Sequence, residues 1–319
     1  MMICGRLCFA LLALALTGGS ATAQSGRTIK LLVPAAPGAS TDFVARLSAD
    51  HMSRVQGVTA VVENRPGANG MIGVEAVSRA APDGNTLLVT ANTYLLDDLL
   101  RKPNYDPVAS FDPVCFLVHT PAVLVVNAQS PYHTLAEFLA AAKTKPGELS
   151  LAAVGPGSTF QIGMIEIARR AGVNLTYVPY NGSAPAVTAL LGNHVTSALS
   201  GYAVVVEQIK AGKLRALASG TIKRIEPMPD LPTLDELGFK GMEIENWFGV
   251  VAPKGTPQDK LTELATWFKA ALDAPESKTK LAAQYLYTGG PCGADFGAMI
   301  RRSHDAYGRG VREANIKVQ

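Results

Sequence analysis

The chain has 319 residues, 29 Lys and Arg against 26 Asp and Glu, and four cysteines, for a formal net charge of +3. This near balance, with no basic stripe and no aromatic-interleaved Lys/Arg run, argues against a nucleic-acid partner. The length suits two domains, and beyond the first residues no stretch is apolar and charge-free enough to cross a bilayer.

Arg6 precedes an apolar run over 7–16, and small residues then lead to Ala21-Thr22-Ala23. That is the layout of a secretory leader with an A-x-A cleavage site, which predicts export and cleavage after Ala23. No cysteine would stand at the new N-terminus, so no lipid anchor is expected. Cys4 and Cys8 leave with the leader. Cys115 and Cys292 remain in an oxidising compartment, where they could bridge. The apolar surroundings of Cys115, Val114-Cys-Phe-Leu-Val118, favour a buried free thiol instead.

Strand-like runs alternate with helical patterns along the rest of the chain, predicting an α/β fold with mostly parallel sheets flanked by helices. Strands are expected over 29–33, 58–62 and 86–90. Helices are expected from about Thr41, with Val44, Leu47 and Val55 on one face, and over 70–81. The run 122–127 reads as a strand leaving the first domain, and Thr134 with Glu137 as a capping box. Further strands are expected over 149–154, 175–178, 195–200 and 214–219, with helices over 160–171, 184–191 and 204–211. The segment 245–252 reads as a strand returning to the first domain. Thr256 should then cap a helix begun by Pro257, whose Leu261, Leu264, Ala265, Phe268 and Leu272 form a buried stripe. Two more helices should close the chain, on either side of Gly289-Gly290-Pro291. The expected division is a leader over 1–23, one domain of 24–123 plus 245–319, and a second of 124–244.

Two junctions carry the functional signal. Val33-Pro-Ala-Ala-Pro-Gly-Ala-Ser-Thr-Asp42 and Leu151-Ala-Ala-Val-Gly-Pro-Gly-Ser-Thr-Phe160 each run a strand into a small turn that opens a helix. A helix N-terminus offers unpartnered backbone N–H groups and partial positive charge, so each turn reads as an anion cradle. Ser, Thr and Gly are also ordinary N-cap residues, and one such junction alone would mean little. Asp42 would repel an anion, and its place in a first turn assigns it a structural role. Asn92, Thr93 and Tyr94 follow a strand end, where open α/β sheets place ligands. Trp247 and Phe248 read as core.

Enzymatic chemistry finds no support. Ser40 and Ser158 lie outside any G-x-S-x-G elbow, and His51, His119, His133, His194 and His304 include no H-x-x-x-H pair. Gly67, Gly70 and Gly73 miss the G-x-G-x-x-G order, and there is no P-loop. Two cysteines without C-x-x-C spacing make no metal site. Neither metal nor cofactor is expected.

The stretches Leu31-Leu-Val-Pro-Ala-Ala-Pro-Gly-Ala-Ser-Thr-Asp42, Val62-Glu-Asn-Arg-Pro-Gly-Ala-Asn-Gly70, Ala80-Ala-Pro-Asp-Gly84, Tyr177-Val-Pro-Tyr-Asn-Gly-Ser-Ala-Pro185, Ile209-Lys-Ala-Gly-Lys-Leu-Arg-Ala-Leu-Ala218 and Trp247-Phe-Gly-Val-Val-Ala-Pro-Lys-Gly-Thr-Pro257 resemble the Bug family, the periplasmic solute receptors of tripartite tricarboxylate transporters. The resemblance implies a type II periplasmic-binding-protein (Venus-flytrap) fold, two α/β domains joined by two crossover segments and closing on a ligand. It implies a carboxylate held between Pro37, Gly38, Ala39, Ser40 and Thr41 on one side and Gly155, Gly157, Ser158 and Thr159 on the other, largely by backbone N–H groups, hydroxyls and waters. It also implies membrane permease subunits as partner to a monomeric receptor; the alternatives are a ligand-sensing protein that presents its closed form to a membrane sensor and, less favoured, a hydrolase on the same scaffold using Ser158. Ala39 departs from a Pro-Gly-Gly pattern, Gln161 stands near a common histidine, and Asn181 replaces a frequent lysine. Ser200-Gly201 stands where the family often carries an aspartate. The expected ligand is therefore a carboxylate without a free α-amine, its distal end shaped by Tyr180, Asn181, Ser200 and Tyr202.

Overall fold

The computed structural model describes residues 26–154, 158–180 and 182–313. The expected leader lies outside the described residues, as do Gly155, Gly157 and Asn181.

β1 (Thr28–Val33) runs parallel to β2 (Thr59–Asn64) on one side and β3 (Thr86–Ala91) on the other, with α1 (Ser40–Val55) and α2 (Met71–Ser78) in the connections. A short helix, α3 (Asp97–Leu100), follows a 3-10 turn over Asn92–Leu96. The chain then enters β4 (Phe111–Asn127), whose apolar positions are buried on both faces. Past α4 (Leu135–Thr144), the alternation resumes with β5 (Ser150–Val154), α5 (Thr159–Ala171), β6 (Thr176–Tyr180), α6 (Ser183–Leu191), β7 (Ser197–Gly201), α7 (Tyr202–Lys210) and β8 (Leu214–Ser219). β9 (Glu245–Pro253) returns, followed by α8 (Gln258–Asp273), α9 (Pro275–Ala283) and α10 (Gly293–Glu313). The strands follow the order β2-β1-β3-β9-β4-β7-β5-β6, with β8 also on β4.

β4 joins the two halves of this sheet. Up to Pro121 it pairs antiparallel with β9, and from Ala122 it pairs with β7 and β8. The two strand-like runs read at 114–118 and 122–127 are thus one strand. Proline has no N–H to give a ladder, and Pro121 stands where one set of partners hands over to the other. Three backbone bonds close the handover: Ala122 N–H to Ile244 O, Gly220 N–H to Ala122 O, and Ile244 N–H to Gly220 O. A Cβ on Gly220 would lie 2.4 Å from the Ile244 oxygen, so this crossing admits only glycine there.

Each half has its own apolar clusters. Val44 and Leu47 of α1 and Leu264 and Phe268 of α8 cover one face of the first half. On the other face Trp247, 2% exposed, is enclosed by the rings of Tyr94, Phe116 and Phe296. In the second half, Phe138, Phe160 and Met164 pack on one face, and Val123, Tyr202 and Val205 on the other. The Thr134–Glu137 capping box forms as read.

Three local expectations are corrected. Val55 is 57% exposed, because the buried face of α1 ends at Met52, one turn before the helix does. Thr256 does not cap α8; its hydroxyl donates to the Pro253 carbonyl at 2.7 Å, and the helix opens at Gln258. Cys115 is not a free thiol but is bonded to Cys292. The strand-like contacts of Phe116 with Pro291 and of His119 with Tyr287 lay the segment 287–292 along β4 and bring the two sulfurs together.

Burial pushes the Asp97 carboxyl up to about 6, although the Tyr105 hydroxyl donates to it. An acid with a raised folded pKa binds its proton more tightly folded than unfolded. Its stabilising contribution is complete below the unfolded value near 4 and is lost as pH rises through about 6. Glu243, pushed up to about 7 by surrounding protein and by Glu245, acts in the same direction but is more open to water and counts for less. The melting temperature should therefore rise by about 2 °C or more between pH 8 and about pH 5. Thermal melts of Asp97→Asn should show a smaller rise; an equal rise would remove Asp97 as its cause.

Candidate functional site

The first cradle is a braced turn. Gly38 has φ +87°, in the left-handed region that favours glycine, and its N–H donates to Asp42 Oδ2 at 2.9 Å. The same carboxylate accepts from Arg46 Nε at 3.0 Å and Asn64 Nδ2 at 2.9 Å. Burial alone would raise Asp42, but Arg46, the Gly38 amide and Asn64 outweigh it and hold the carboxyl below the usual carboxylate range. Asp42 is thus turned inward and compensated, in the structural role read for it. Ala39 stands extended at the N-cap and supplies no side-chain cap. The N–H groups of Ser40 and Thr41 consequently open the helix without an intrahelical acceptor, as at any helix start. Pro37, Gly38 and Ser40 are exposed, Ala39 is half-buried and Thr41 is buried.

The second cradle is tied to the crossover. Ser158 caps α5, its hydroxyl accepting from the Gln161 N–H at 3.1 Å. Thr159 is 4% exposed and donates its hydroxyl to Asn246 Oδ1 at 3.3 Å. Asn246 pairs with Thr120 across the β4–β9 ladder, one residue before the handover.

The remaining predicted residues separate into two groups. Thr93 is exposed at the end of β3 and Tyr180 is half-buried at the end of β6. Asn92 is fully buried, with Nδ2 donating to the Glu245 carbonyl at 2.8 Å and to the Tyr307 hydroxyl at 2.9 Å. Ser200 is also fully enclosed, and its hydroxyl has no partner among the described residues. Tyr202 is 2% exposed and meets Tyr285 edge-on at 5.6 Å between ring centres. The ring of Tyr202 thus packs with Val205 and Val206 of α7, while Val204 of the same helix is exposed.

The structure thus gathers Asn92, Thr159 and Ser200-Gly201 around the crossing strands. Thr120, Glu245 and Asn246 hold that centre, and sequence reading missed all three. Glu245 is 6% exposed and lies 2.5 Å from His119 Nδ1, joining β4 to β9. Polar residues interrupting an apolar strand were the available signal. Among the described residues no group of three or more His, Cys, Asp or Glu could hold a metal ion.

Comparison with known proteins agrees with this architecture. The family description "Tripartite tricarboxylate transporter family receptor" matches residues 44–294. The chain is 35% identical over 268 residues to the protein BugT of Bordetella pertussis, covering 83% of this chain and 82% of that one. A TctC solute-binding protein from Polaromonas, solved without ligand, superposes with a TM-score of 0.84 at 29% identity, over 90% of this chain and 98% of that one. Rpa4515 of R. palustris, solved with adipate, gives 0.72 at 31% identity over 91% and 98%. MatC of Rhodopseudomonas palustris, with bound malate, gives 0.69 at 30% identity over 89% and 99%. The family match spans the second cradle and both crossover segments, and the chain belongs to the tripartite tricarboxylate transporter receptors, a family of periplasmic solute-binding proteins rather than enzymes.

Proposed function

We propose that the protein, exported by a leader cleaved after Ala23, captures a small organic carboxylate between the turn 37–41 and the start of α5. It then presents its closed form, as a monomer, to the permease subunits of a tripartite tricarboxylate-type transporter. The observation that carries this reading is the pair of helix N-termini. One is braced by an internally compensated Asp42 and the other anchored to the crossover, and neither turn contributes a Lys or Arg. Backbone dipoles, hydroxyls and bridging waters can hold a carboxylate without desolvating an ion pair. The relatives solved with adipate and malate support the ligand class.

Closure moves one body, 24–123 plus 245–319, against the other, 124–244, about the Pro121–Ala122 and Ile244–Glu245 crossings. Only a ligand that contacts both can favour it. On this reading the free protein rests open and the ligand draws the two bodies together. Ser200-Gly201 brings no carboxylate, and the buried acid at the crossing, Glu245, is engaged by His119. An α-ammonium group is left without a partner there, and the ligand is a carboxylate lacking one. If the closed form docked instead on a membrane sensor, a neighbouring sensor gene rather than permease genes would mark it.

Thr159→Ala and Ser158→Ala should each weaken binding by about 1 kcal/mol or more, read by titration calorimetry. Ser158→Ala should also lower stability by about 1 kcal/mol through the lost cap. Unchanged affinity in both variants would count against the second cradle. The ligand itself can be found by a thermal-shift screen of mono-, di- and aromatic carboxylates, because a ligand of the native state raises its apparent stability.

A further inference from the structure

α10 begins in one half of the molecule and ends on the other. Its first residues follow Cys292, which is bonded to Cys115 of β4, and Phe296 and Ile300 pack with Trp247 and Phe116 in the first half. Its last turns reach α5, the helix whose start forms the second cradle. There Val311 and Ile162 complete a small apolar cluster with Leu96 and Leu100, which follow β3. Gly310 makes the approach possible: a Cβ on it would stand 2.2 Å from Ile162 Cγ2. One turn on, Glu313 pairs with Arg169 of α5 at 3.0 Å. Alongside this contact, a recess of about 460 Å³ separates α5 from α10 over the start of β9. The two helices are therefore in firm contact at one place and have room to move along another.

We propose that the end of α10 is a latch that clasps α5 to the first half and holds the two cradles in the arrangement described here. Residues 308–313 act on ligand affinity without touching the ligand, because closure has to shift α5, and with it Ser158 and Thr159, against Leu96 and Leu100. A contact present in one arrangement and lost in the other biases the equilibrium by its own strength, and loosening it raises the apparent affinity of the favoured ligand. The affinity effect rests on the closure reading above; the effect on the free protein does not.

Two substitutions separate the latch from the fold. Gly310→Ala improves helix propensity while its methyl group wedges Ile162 away. Glu313→Lys turns an attraction for Arg169 into a repulsion at an exposed position. In ligand-free protein, spin labels at Val55→Cys and Val204→Cys, both exposed, on α1 and α7, report the separation of the halves. Each variant should broaden the distance distribution or add a second population, with a melting temperature lowered by no more than about 5 °C. For the carboxylate identified by the screen, each should tighten binding about threefold to tenfold. Wild-type distance distributions in both variants would overturn the latch whether or not a ligand is found. Altered distributions with unchanged or weaker affinity would overturn its role in binding.

Discussion

Ser158→Asp should weaken carboxylate capture about a hundredfold while leaving the fold intact. Aspartate is as good an N-cap as serine, and a negative charge suits the start of α5, so the helix keeps both its cap and its dipole partner. What changes is the field in the cradle. Two like charges about 4 Å apart repel by about 4 kcal/mol at the effective dielectric of a protein surface. With partial exposure of Ser158 reducing this, about 3 kcal/mol remains, or roughly a hundredfold in affinity. Ser158→Asn supplies the control, an equivalent cap without charge, and should bind within about tenfold of wild type. Calorimetric titration of the three proteins, with melts to confirm folding, separates charge from capping. Equal affinity in Ser158→Asp would place the ligand's carboxylate elsewhere.

Replacing both bonded cysteines, Cys115→Ala with Cys292→Ala, should produce the largest stability loss of any substitution pair considered. The bond joins residues 177 apart in sequence, and a cross-link closing so long a loop restricts the unfolded chain by about 5 kcal/mol in the chain-entropy treatment. It also roots α10 on β4, beside the Phe116–Pro291 and His119–Tyr287 backbone bonds. Urea unfolding should show a midpoint well below that of the oxidised wild type, and reductant should move the wild type towards the variant. Coincident midpoints would show that the segment 287–292 is held by its backbone bonds and packing alone.

Local chemistry made most of the architecture legible. The strands feeding the cradles, the Thr134–Glu137 box and the apolar stripe of α8 all depend on residues a few positions apart, and each lies where periodicity placed it. Asp42 was readable for the same reason, since its partners Gly38 and Arg46 lie within one turn. What escaped was set by register between distant segments. Nothing local tells that β4 runs unbroken through Pro121, that Cys292 arrives beside Cys115, or that Asn246 meets Thr159 across 87 residues. Tyr202 shows the same limit from another side. A helix-opening tyrosine beside a strand end reads as a ligand contact, and nothing local tells that the 285–287 segment packs against its ring.

The central claim is that the two helix N-termini hold a carboxylate lacking an α-amine. Calorimetric titration of the mature protein with malate, adipate and benzoate, and in parallel with aspartate and glutamate, tests it most directly. The account predicts saturable binding of at least one amine-free acid, weakened about a hundredfold in Ser158→Asp, and none of either amino acid. Tight binding of aspartate or glutamate, or no binding of any carboxylate, would contradict it.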